Sequence, residues 1–396
     1  MKQLLIYSET FIWKEKERVL FYNSKNGQCL EMGIEDRCVS TVLEELLDPK
    51  KLYCVPIEES LIDNSSLKTL IEELEHHQMG RLLPSEKVAV AMPPRFRVLH
   101  DLDRMKKEGF AQFDLARYVQ EITIFLGGKH TENDLYRQAA YPMNSDEVLP
   151  VADVVRFLEK VDTNSLKRVQ LVISSSDSES IQKILEALPP RISDRIDLCF
   201  SLESLSDRVL QENNITVVLS PKDISGAASS ENRVFPNRLF QYTFLVNNSE
   251  TVSLAETLIE RNGLQQYSFV PIWDHNSDFL KENVFLNIHE ILSSRPDKRT
   301  VFIHQALNLN YWGKIAVLPN GKVYSDINSE SIGSLDDSIA GLVQKELFQG
   351  KSWLRTRDKD TTRKCVSCLY KWLCPCISPI ENQSGLLACG VEALFR

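Results

Sequence analysis

Apolar runs and helical stripes follow one another along the first part of the chain. Residues 4–13 and Arg18–Asn23 are apolar and aromatic runs of the kind that form strands. Asn26-Gly27 predicts a type I′ hairpin turn before a further strand at residues 28–32. Apolar residues then recur at helical spacing in two stripes: Val39, Leu43, Leu46 and Leu47, followed by Leu67, Leu70, Ile71 and Leu74. We predict a small winged-helix-like module over residues 1–82.

The strand at residues 28–32 has two interpretations. In the first, the module only caps the rest of the chain and the strand is structural. In the second, the strand has an exposed edge, and its backbone groups pair with an extended peptide. The helical stripe at residues 67–74 would then offer apolar pockets to the side chains of that peptide. Both interpretations stay open.

Short buried strands and amphipathic helices alternate through the middle of the chain. The predicted strands are residues 119–127, 169–174, 196–201, 216–219, 239–246 and 268–273, and the predicted helices are residues 151–161, 178–188, 202–211, 252–261 and 279–292. Repeated strand and helix units predict an α/β fold with a parallel sheet, and six of them favour a partial (β/α)6 barrel over a small doubly wound sheet. Breaks at Leu82-Leu-Pro84 and Met92-Pro-Pro-Arg95 place this domain at 83–307.

The remaining residues, 308–396, end in a cysteine-rich segment. A predicted hairpin at residues 311–326 turns at Asn320-Gly321, and a helix over residues 338–348 leads through Trp353 and Arg357 to the cysteines. Four cysteines have the spacing C-x2-C-x5-C-x14-C: Cys365, Cys368, Cys374 and Cys389. This spacing lets four thiolates converge on one soft metal centre, and it suits either an iron–sulfur cluster or zinc.

A set of disulfides is the competing interpretation of these cysteines. The N-terminal sequence continues into the charged run Lys14-Glu-Lys-Glu-Arg18, without the apolar segment and cleavage site of a secretory signal. No apolar run reaches membrane-spanning length. We therefore expect a soluble, cytoplasmic protein with no membrane partner, in which thiols stay reduced and clustered cysteines favour a metal.

Size and charge narrow the choice further. At 396 residues the chain predicts two or three domains, and its hydrophobic share of 43% predicts a folded protein. The net charge is −9, from acidic residues spread along the chain, so we expect no nucleic-acid partner. The chain has no glycine-rich phosphate loop of either standard type, which removes the simplest nucleotide-binding functions.

The C-terminal sequence resembles a known domain. Its order is a hairpin of the form G-x-I-x-V-x-P-N-G-x-V-Y, a helix, W-x3-R, C-x2-C-x5-C and a later cysteine. Over residues 311–389 this order resembles the SPASM domain that follows the barrel of radical-SAM peptide maturases. The whole chain resembles the pseudo-radical-SAM/SPASM proteins of Bacteroidales double-glycine-leader peptide systems. The resemblance implies a non-catalytic accessory protein whose partners are a precursor peptide and an active radical-SAM maturase.

Departures from the radical-SAM pattern point the same way. The family holds its catalytic cluster through a C-x3-C-x2-C loop after the first barrel strand, but residues 128–136 contain no cysteine. Ser174-Ser-Ser-Asp177 stands where the family has the G-G-E-P motif that contacts S-adenosylmethionine. Cys199 lies inside a predicted buried strand, where we expect an inert apolar role. We expect no catalytic residues and no use of S-adenosylmethionine.

The resemblance also implies a cofactor. The ligands of the outer SPASM cluster carry over to the four cysteines at the spacing given above, which implies one [4Fe–4S] cluster with zinc as the alternative. Ser325-Asp326 occupies the place of an inner-cluster cysteine, so a second cluster is not expected. Cys376 falls one or two residues short of a further ligand position, and we interpret it as a spare thiol.

One enzymatic alternative stays open. His130 and Asp134 lie where the lost cluster loop would be, and His275 follows another predicted strand at the same end of the barrel. These side chains would form a repurposed active site at the barrel mouth. The competing interpretation is the ordinary polarity of surface loops.

Overall fold

The computed structural model describes most of the chain: residues 1–84, 89–94, 99–127, 136–142, 147–174, 178–188, 190–205, 214–230, 235, 237, 239–359 and 364–385. The predicted α/β class is confirmed, since helices surround a large sheet with a parallel core. Within the described ranges, no helix is both long and apolar enough to cross a bilayer.

The N-terminal elements form two antiparallel sheets with helices. In chain order they are β1 (Lys2–Ile6), β2 (Thr10–Glu15), β3 (Arg18–Asn23), β4 (Gln28–Gly33), α1 (Arg37–Leu47), β5 (Cys54–Ile57), α2 (Glu59–Ile62), α3 (Ser65–His76) and β6 (Gly80–Pro84). One sheet has the order β5-β1-β6 and the other β2-β3-β4. The apolar run 4–13 is therefore two strands in different sheets. The break predicted at Leu82-Leu-Pro84 is wrong, because these residues pair with β1, and Pro84 is tolerated at the end of strand β6.

Local side-chain chemistry sets the ends of these elements. Asp36 accepts a hydrogen bond from the backbone N–H of Cys38 at 2.7 Å and begins α1. Asn64 accepts one from the N–H of Leu67 at 3.0 Å and begins α3. The predicted hairpin between β3 and β4 is present, and Gly27 has a φ of 74°. The predicted type I′ turn is wrong, because four residues separate the strands and Asn26 has no positive φ.

Six parallel strands and their helices form the middle of the chain. The elements are α4 (Leu99–Glu108), β7 (Glu121–Phe125), α5 (Val151–Glu159), β8 (Arg168–Ile173), α6 (Ser178–Ala187), α7 (Pro190–Ser193), β9 (Ile196–Ser201), β10 (Ile215–Leu219), α8 (Pro221–Ser229), β11 (Gln241–Val246), α9 (Ser249–Asn262), β12 (Gln266–Pro271), α10 (Ser277–Asn283), α11 (Ile288–Ser293) and α12 (Lys298–Ala306). Strands β7 to β12 lie side by side in chain order, each parallel to the next. This is the arrangement expected of successive strand and helix units.

The predicted strands are all present, whereas one predicted helix is divided and helices α4, α7, α8 and α12 were not predicted. The helix predicted over residues 279–292 is two helices, because Asn287 accepts a hydrogen bond from the N–H of Glu290 at 3.1 Å and starts α11 separately. Helix α8 begins at Ser220, whose side chain and that of Asp223 form a capping box. Most of the helix predicted at 202–211 lies outside the described residues.

The C-terminal hairpin extends the same sheet. Its elements are β13 (Lys314–Val317), β14 (Lys322–Tyr324), β15 (Gly333–Ser334), α13 (Ile339–Phe348) and α14 (Pro379–Ser384). The hairpin and its turn at Gly321 are as predicted. The position of the hairpin in the sheet was not predicted. Strand β13 pairs parallel with β7, which gives the order β12-β11-β10-β9-β8-β7-β13-β14-β15. Gly313 permits this approach, because a Cβ there would lie 2.9 Å from the carbonyl oxygen of Tyr118.

Apolar side chains cover both faces of the long sheet. One face, the outer face, packs on helices α5, α6, α8, α9 and α13. The other, the inner face, carries a smaller apolar layer. Gln266 of β12 and Lys314 of β13 line one cavity on the inner face although five strands separate them in the sheet. The sheet therefore curves around its inner face.

Candidate functional site

Three of the four predicted metal ligands lie in one segment of the chain, which contains two turns. Residues Lys364–Ser367 form a 3-10 helix, and the N–H of Cys368 donates to the carbonyl of Cys365 at 3.0 Å. The N–H of Cys374 donates to the carbonyl of Tyr370 at the same distance, 3.0 Å. We call residues 364–376 the cysteine segment.

A buried ion pair lies beside these thiols. Arg357 Nη1 and Nη2 donate to Glu381 Oε1 and Oε2, each at 3.1 Å, and the two side chains are only 8% and 6% exposed. Arg357 Nη1 also lies 3.6 Å from Cys365 Sγ, and its Nε donates to the carbonyl of Pro375 at 2.7 Å. Bidentate pairing fixes the guanidinium in place. A fixed cation at this position favours negative charge on the neighbouring sulfurs.

Trp353, four residues before Arg357, joins the segment that carries Arg357 to the long sheet. Trp353 is fully buried and its Nε1 donates to the carbonyl of Lys314 in β13 at 3.1 Å. Its backbone N–H donates to Glu346 Oε1 at 2.8 Å. Glu346 Oε2 in turn accepts from Ser325 Oγ at 2.6 Å. Ser325 thus helps to join the hairpin, α13 and the segment that carries Arg357.

Sequence reasoning missed Glu381 and Glu346. Glu381 belongs to a S-x-x-E capping box with Ser378, which is a visible signal for the start of α14 but not for an ion pair. Glu346 lies within the apolar helix α13, and no local pattern marks its partners. Both carboxylates are defined by contacts with residues distant in the chain.

Burial raises the pKa of two thiols in the cysteine segment, Cys374 and Cys376. It raises the pKa of Cys374 to about 12, an effect that Arg357 opposes and that Cys365 and Cys368 increase. Burial also raises the pKa of Cys376, whose Sγ lies 3.5 Å from the carbonyl of Leu307. Without a metal, Cys374 is therefore protonated at neutral pH.

The metal site stays a prediction. Cys389 lies outside the described residues. Among the residues that are described, no three His, Cys, Asp or Glu side chains are arranged to hold a metal ion. The donor chemistry fits a soft metal in that Cys365, Cys368 and Cys374 are close enough for their charges to interact, next to a fixed guanidinium.

The N-terminal sheet covers the cysteine segment. Tyr370 donates a hydrogen bond to Glu31 of β4, and Lys371 Nζ lies 2.6 Å from Glu15 Oε1 of β2. An apolar core joins the two parts, with members from both: Phe11, Leu20, Tyr22, Cys368, Leu369, Tyr370 and Leu373. The cysteine segment therefore lies between the N-terminal sheet and the elements after β12.

The structure has one of the two features predicted for a peptide site, the strand edge, and lacks the other, the available helix stripe. Strand β4 lies at an edge, since among the described residues only β3 pairs with it. The helix stripe is not available, however, because its four apolar residues are buried in the N-terminal core: Leu67, Leu70, Ile71 and Leu74. The helix uses this face to hold its own module together.

The carboxyl-terminal half of the inner face is filled. Its apolar layer takes one residue from each of several strands: Phe125, Val172, Cys199, Val218 and Leu245. Residues of the segment 136–142 pack onto this layer, among them Tyr136, Ala139, Ala140 and Tyr141. Cys199 is fully buried and its Sγ lies 3.5 Å from the carbonyl of Ala140, as expected for an inert thiol.

The structure brings no support to the enzymatic alternative. His130 and Asp134 lie outside the described residues. The ring of His275 is tilted against that of Trp273, with ring centroids 5.4 Å apart, and His275 has a φ of 54°. The neighbouring Asp274 accepts a hydrogen bond from Asn247 Nδ2 at 2.9 Å. These contacts belong to the loop after β12.

Comparison with known proteins gives remote likenesses only. No family model matches the chain, and no curated protein matches it. Three crystal structures of SuiB from Streptococcus suis are similar to it at 11% identity over 95% of this chain. SuiB bound to its precursor peptide SuiA has a TM-score of 0.43 over 98% of that chain, and SuiB bound to S-adenosylmethionine 0.39 over 98%. A further structure of SuiB has 0.42 over 97%. Scores below 0.5 do not establish a common fold.

Proposed function

We propose that this protein is a non-catalytic accessory protein in the maturation of a ribosomally made peptide, with a degenerate radical-SAM-like partial barrel. It binds the precursor peptide, the radical-SAM maturase, or both, and its SPASM-like module holds one iron–sulfur cluster. The observation that carries the proposal is the filled inner face. Reactions in parallel α/β folds take place at the carboxyl ends of the strands, and here an apolar layer and the segment 136–142 occupy that half of the sheet.

Peptide binding is assigned to strand β4. An edge strand binds an extended chain through backbone hydrogen bonds, which demand no fixed sequence. The strand lies directly against the cysteine segment through Glu31 and Tyr370. A peptide bound there would touch the N-terminal module and the metal-binding module at once. A disordered leader loses chain entropy when it binds, so modest affinity is expected unless the maturase binds with it.

Titration of a labelled precursor peptide tests this assignment. Gly33 ends β4, and a Cβ there would meet nothing within 4 Å, so an added Cβ has room. Gly33→Pro removes a backbone N–H from the edge strand, whereas Gly33→Ala keeps it. We expect Gly33→Pro to weaken binding about tenfold, as the loss of one backbone hydrogen bond predicts, and Gly33→Ala to leave it unchanged. Equal binding by all three proteins would place the peptide elsewhere.

Metal analysis after anaerobic purification tests the cofactor. We expect iron and sulfide in the wild-type protein, their loss in Cys374→Ser, and their retention in Cys376→Ser, which lies two residues away and serves as the matched control. Zinc in place of iron would identify the alternative metal. A disulfide between two of the four cysteines under reducing conditions would contradict a metal site. Formation of 5′-deoxyadenosine from S-adenosylmethionine by the pure protein would contradict the non-catalytic role.

A further inference from the structure

The cavity on the inner face that Gln266 and Lys314 line lies at the opposite end of the strands from the filled half. It has a volume of about 820 Å³, which is within the range of small-ligand sites. Its walls come from the amino-terminal halves of the strands and include Gln170 of β8, Thr216 of β10 and Thr243 of β11. Ala139 and Ala140 of the segment 136–142 also line it.

Strand alternation explains how one face carries both an apolar layer and a polar cavity. Residues i and i+2 of a strand point to the same side. The three residues named above precede Val172, Val218 and Leu245 of the apolar layer by two positions each. On the inner face, the residues of each of these strands therefore change from polar to apolar along the strand. A face intended only for packing would be apolar along its full length.

The cavity is polar but carries balanced charge. Arg168 is paired with Asp197, and Lys314 Nζ lies 3.7 Å from Glu121 Oε2. The amide side chains of Gln170, Gln241 and Gln266 form no hydrogen bonds with other described residues. Free amides offer donors and acceptors together, and the cations already have carboxylate partners. This lining suits an uncharged ligand with both donors and acceptors, and it does not suit a phosphate.

One wall of the cavity is an edge strand. Among the described residues only β11 pairs with β12, and Gln266, Ser268 and Val270 of β12 line the cavity. The sequence of β12, Gln-Tyr-Ser-Phe-Val-Pro, has no charged residue. Exposed edges are commonly protected by lysine or other charges, and this edge has only the terminal Pro271. An uncharged extended chain can pair with it without desolvating a charge.

We propose that this cavity binds an extended, uncharged peptide segment that pairs with the free edge of β12. Alternate side chains of the segment enter the cavity beside Ser268 and meet the free amides of Gln266 of β12 and Gln241 of β11. The choice of a peptide over another neutral ligand rests on the peptide-binding role proposed above. The site itself is separate from β4 and lies at the amino ends of the parallel strands.

Capture of short peptides by the immobilised full chain tests the inference. The probes are two pools of N-acetylated, C-amidated heptapeptides, one of Ser, Thr, Asn, Ala and Val, and one with Lys and Glu at alternate positions. Ser268→Trp fills the cavity, and Tyr267→Trp, on the other face of the same strand, is the control. The double variant Gln241→Leu with Gln266→Leu removes hydrogen bonds without adding bulk. Gly33→Pro weakens binding at the β4 site and leaves this site intact.

We expect the uncharged pool to be enriched by the wild type, Tyr267→Trp and Gly33→Pro. Enrichment should fall at least tenfold with Ser268→Trp and about tenfold with the double variant. Amide hydrogen exchange in Gln266–Pro271 should slow when the captured peptides bind. Loss of capture with Gly33→Pro alone would place these peptides at β4 and overturn the inference, as would equal capture of both pools or no capture. Displacement of the peptides by maltopentaose would assign the cavity to carbohydrate. If Ser268→Trp does not fold, the double variant decides.

Discussion

Glu381 neutralises a buried arginine. The pair is almost fully removed from water, with side chains 8% and 6% exposed. Removal of one member leaves the other charge buried and uncompensated, which costs about 3–5 kcal/mol. We expect Glu381→Ala to lower the free energy of unfolding by about this amount in urea unfolding. Glu330→Ala, at an exposed position, is the control and should change it by less than about 0.5 kcal/mol. Equal effects would contradict a buried ion pair.

Glu346 makes stability depend on pH. Burial raises its pKa above the usual 4.5, although hydrogen bonds from Ser325 and from the N–H groups of Trp353 and Ser352 oppose this. A carboxyl with a raised folded-state pKa contributes stability below its unfolded-state pKa, and this is lost as pH rises through the folded-state pKa. Glu346→Gln cannot ionise. We therefore expect the unfolding free energy of the variant, minus that of the wild type, to increase between pH 4.5 and pH 8. A constant difference across a pH series of urea titrations would contradict the raised pKa.

At the scale of elements, one side chain links the starts of two helices. Asn64 caps α3 by accepting from the N–H of Leu67 at 3.0 Å, and its Nδ2 donates at 3.1 Å to Asp36, which caps α1. We expect Asn64→Ala to lower the free energy of unfolding by about 1–2 kcal/mol. Thr69→Ala is the control, because Thr69 is exposed within the same helix and alanine has the higher helix propensity. Thermal unfolding followed by circular dichroism measures both, and an equal loss would contradict the capping role.

The edges of the two sheets have different surroundings. Strand β4 has Glu31 bonded to Tyr370 and Arg18, so its free edge lies next to charge. Strand β12 is uncharged and opens onto the polar cavity. Whether a strand lies at an edge depends on which other strands pair with it, so the sequence of one strand does not determine its position in the sheet. This difference is the reason for proposing two separate peptide sites.

At the scale of the whole molecule, the N-terminal sheet packs against the C-terminal part of the chain. The N-terminal sheet packs on the cysteine segment and on α11 and α12, and Tyr22 donates to the carbonyl of Pro296 at 2.6 Å. A chain that begins at Met92 would expose the apolar residues of this interface, among them Ile291, Val301, Leu369 and Leu373. We expect such a chain to bind a hydrophobic dye and to elute in large species on size exclusion. A monomeric, compact chain with unchanged metal content would contradict this.

Local patterns determined much of the fold. The β3–β4 hairpin, the capped helices and the alternation of strands and helices were predicted correctly because turn chemistry, capping and hydrophobic period act within a few residues. Helix α8 and the split between α10 and α11 were missed, although Ser220 and Asn287 are capping residues visible in the sequence. The apolar run 4–13 misled for a related reason. Hydrophobic periodicity marks strands but not the sheet to which each belongs.

The sequence by itself determined the class of fold, the strand order that follows from successive strand and helix units, and the cysteine spacing that predicts a metal. Only the tertiary structure decided that β13 joins β7, that the α3 stripe is internal and that Arg357 and Glu381 meet beside Cys365. It also decided that the inner face is apolar and filled at one end and polar and open at the other. The physical reason is the range of the forces involved. Backbone propensity acts between neighbours in the chain, whereas burial and ion pairing act between neighbours in space.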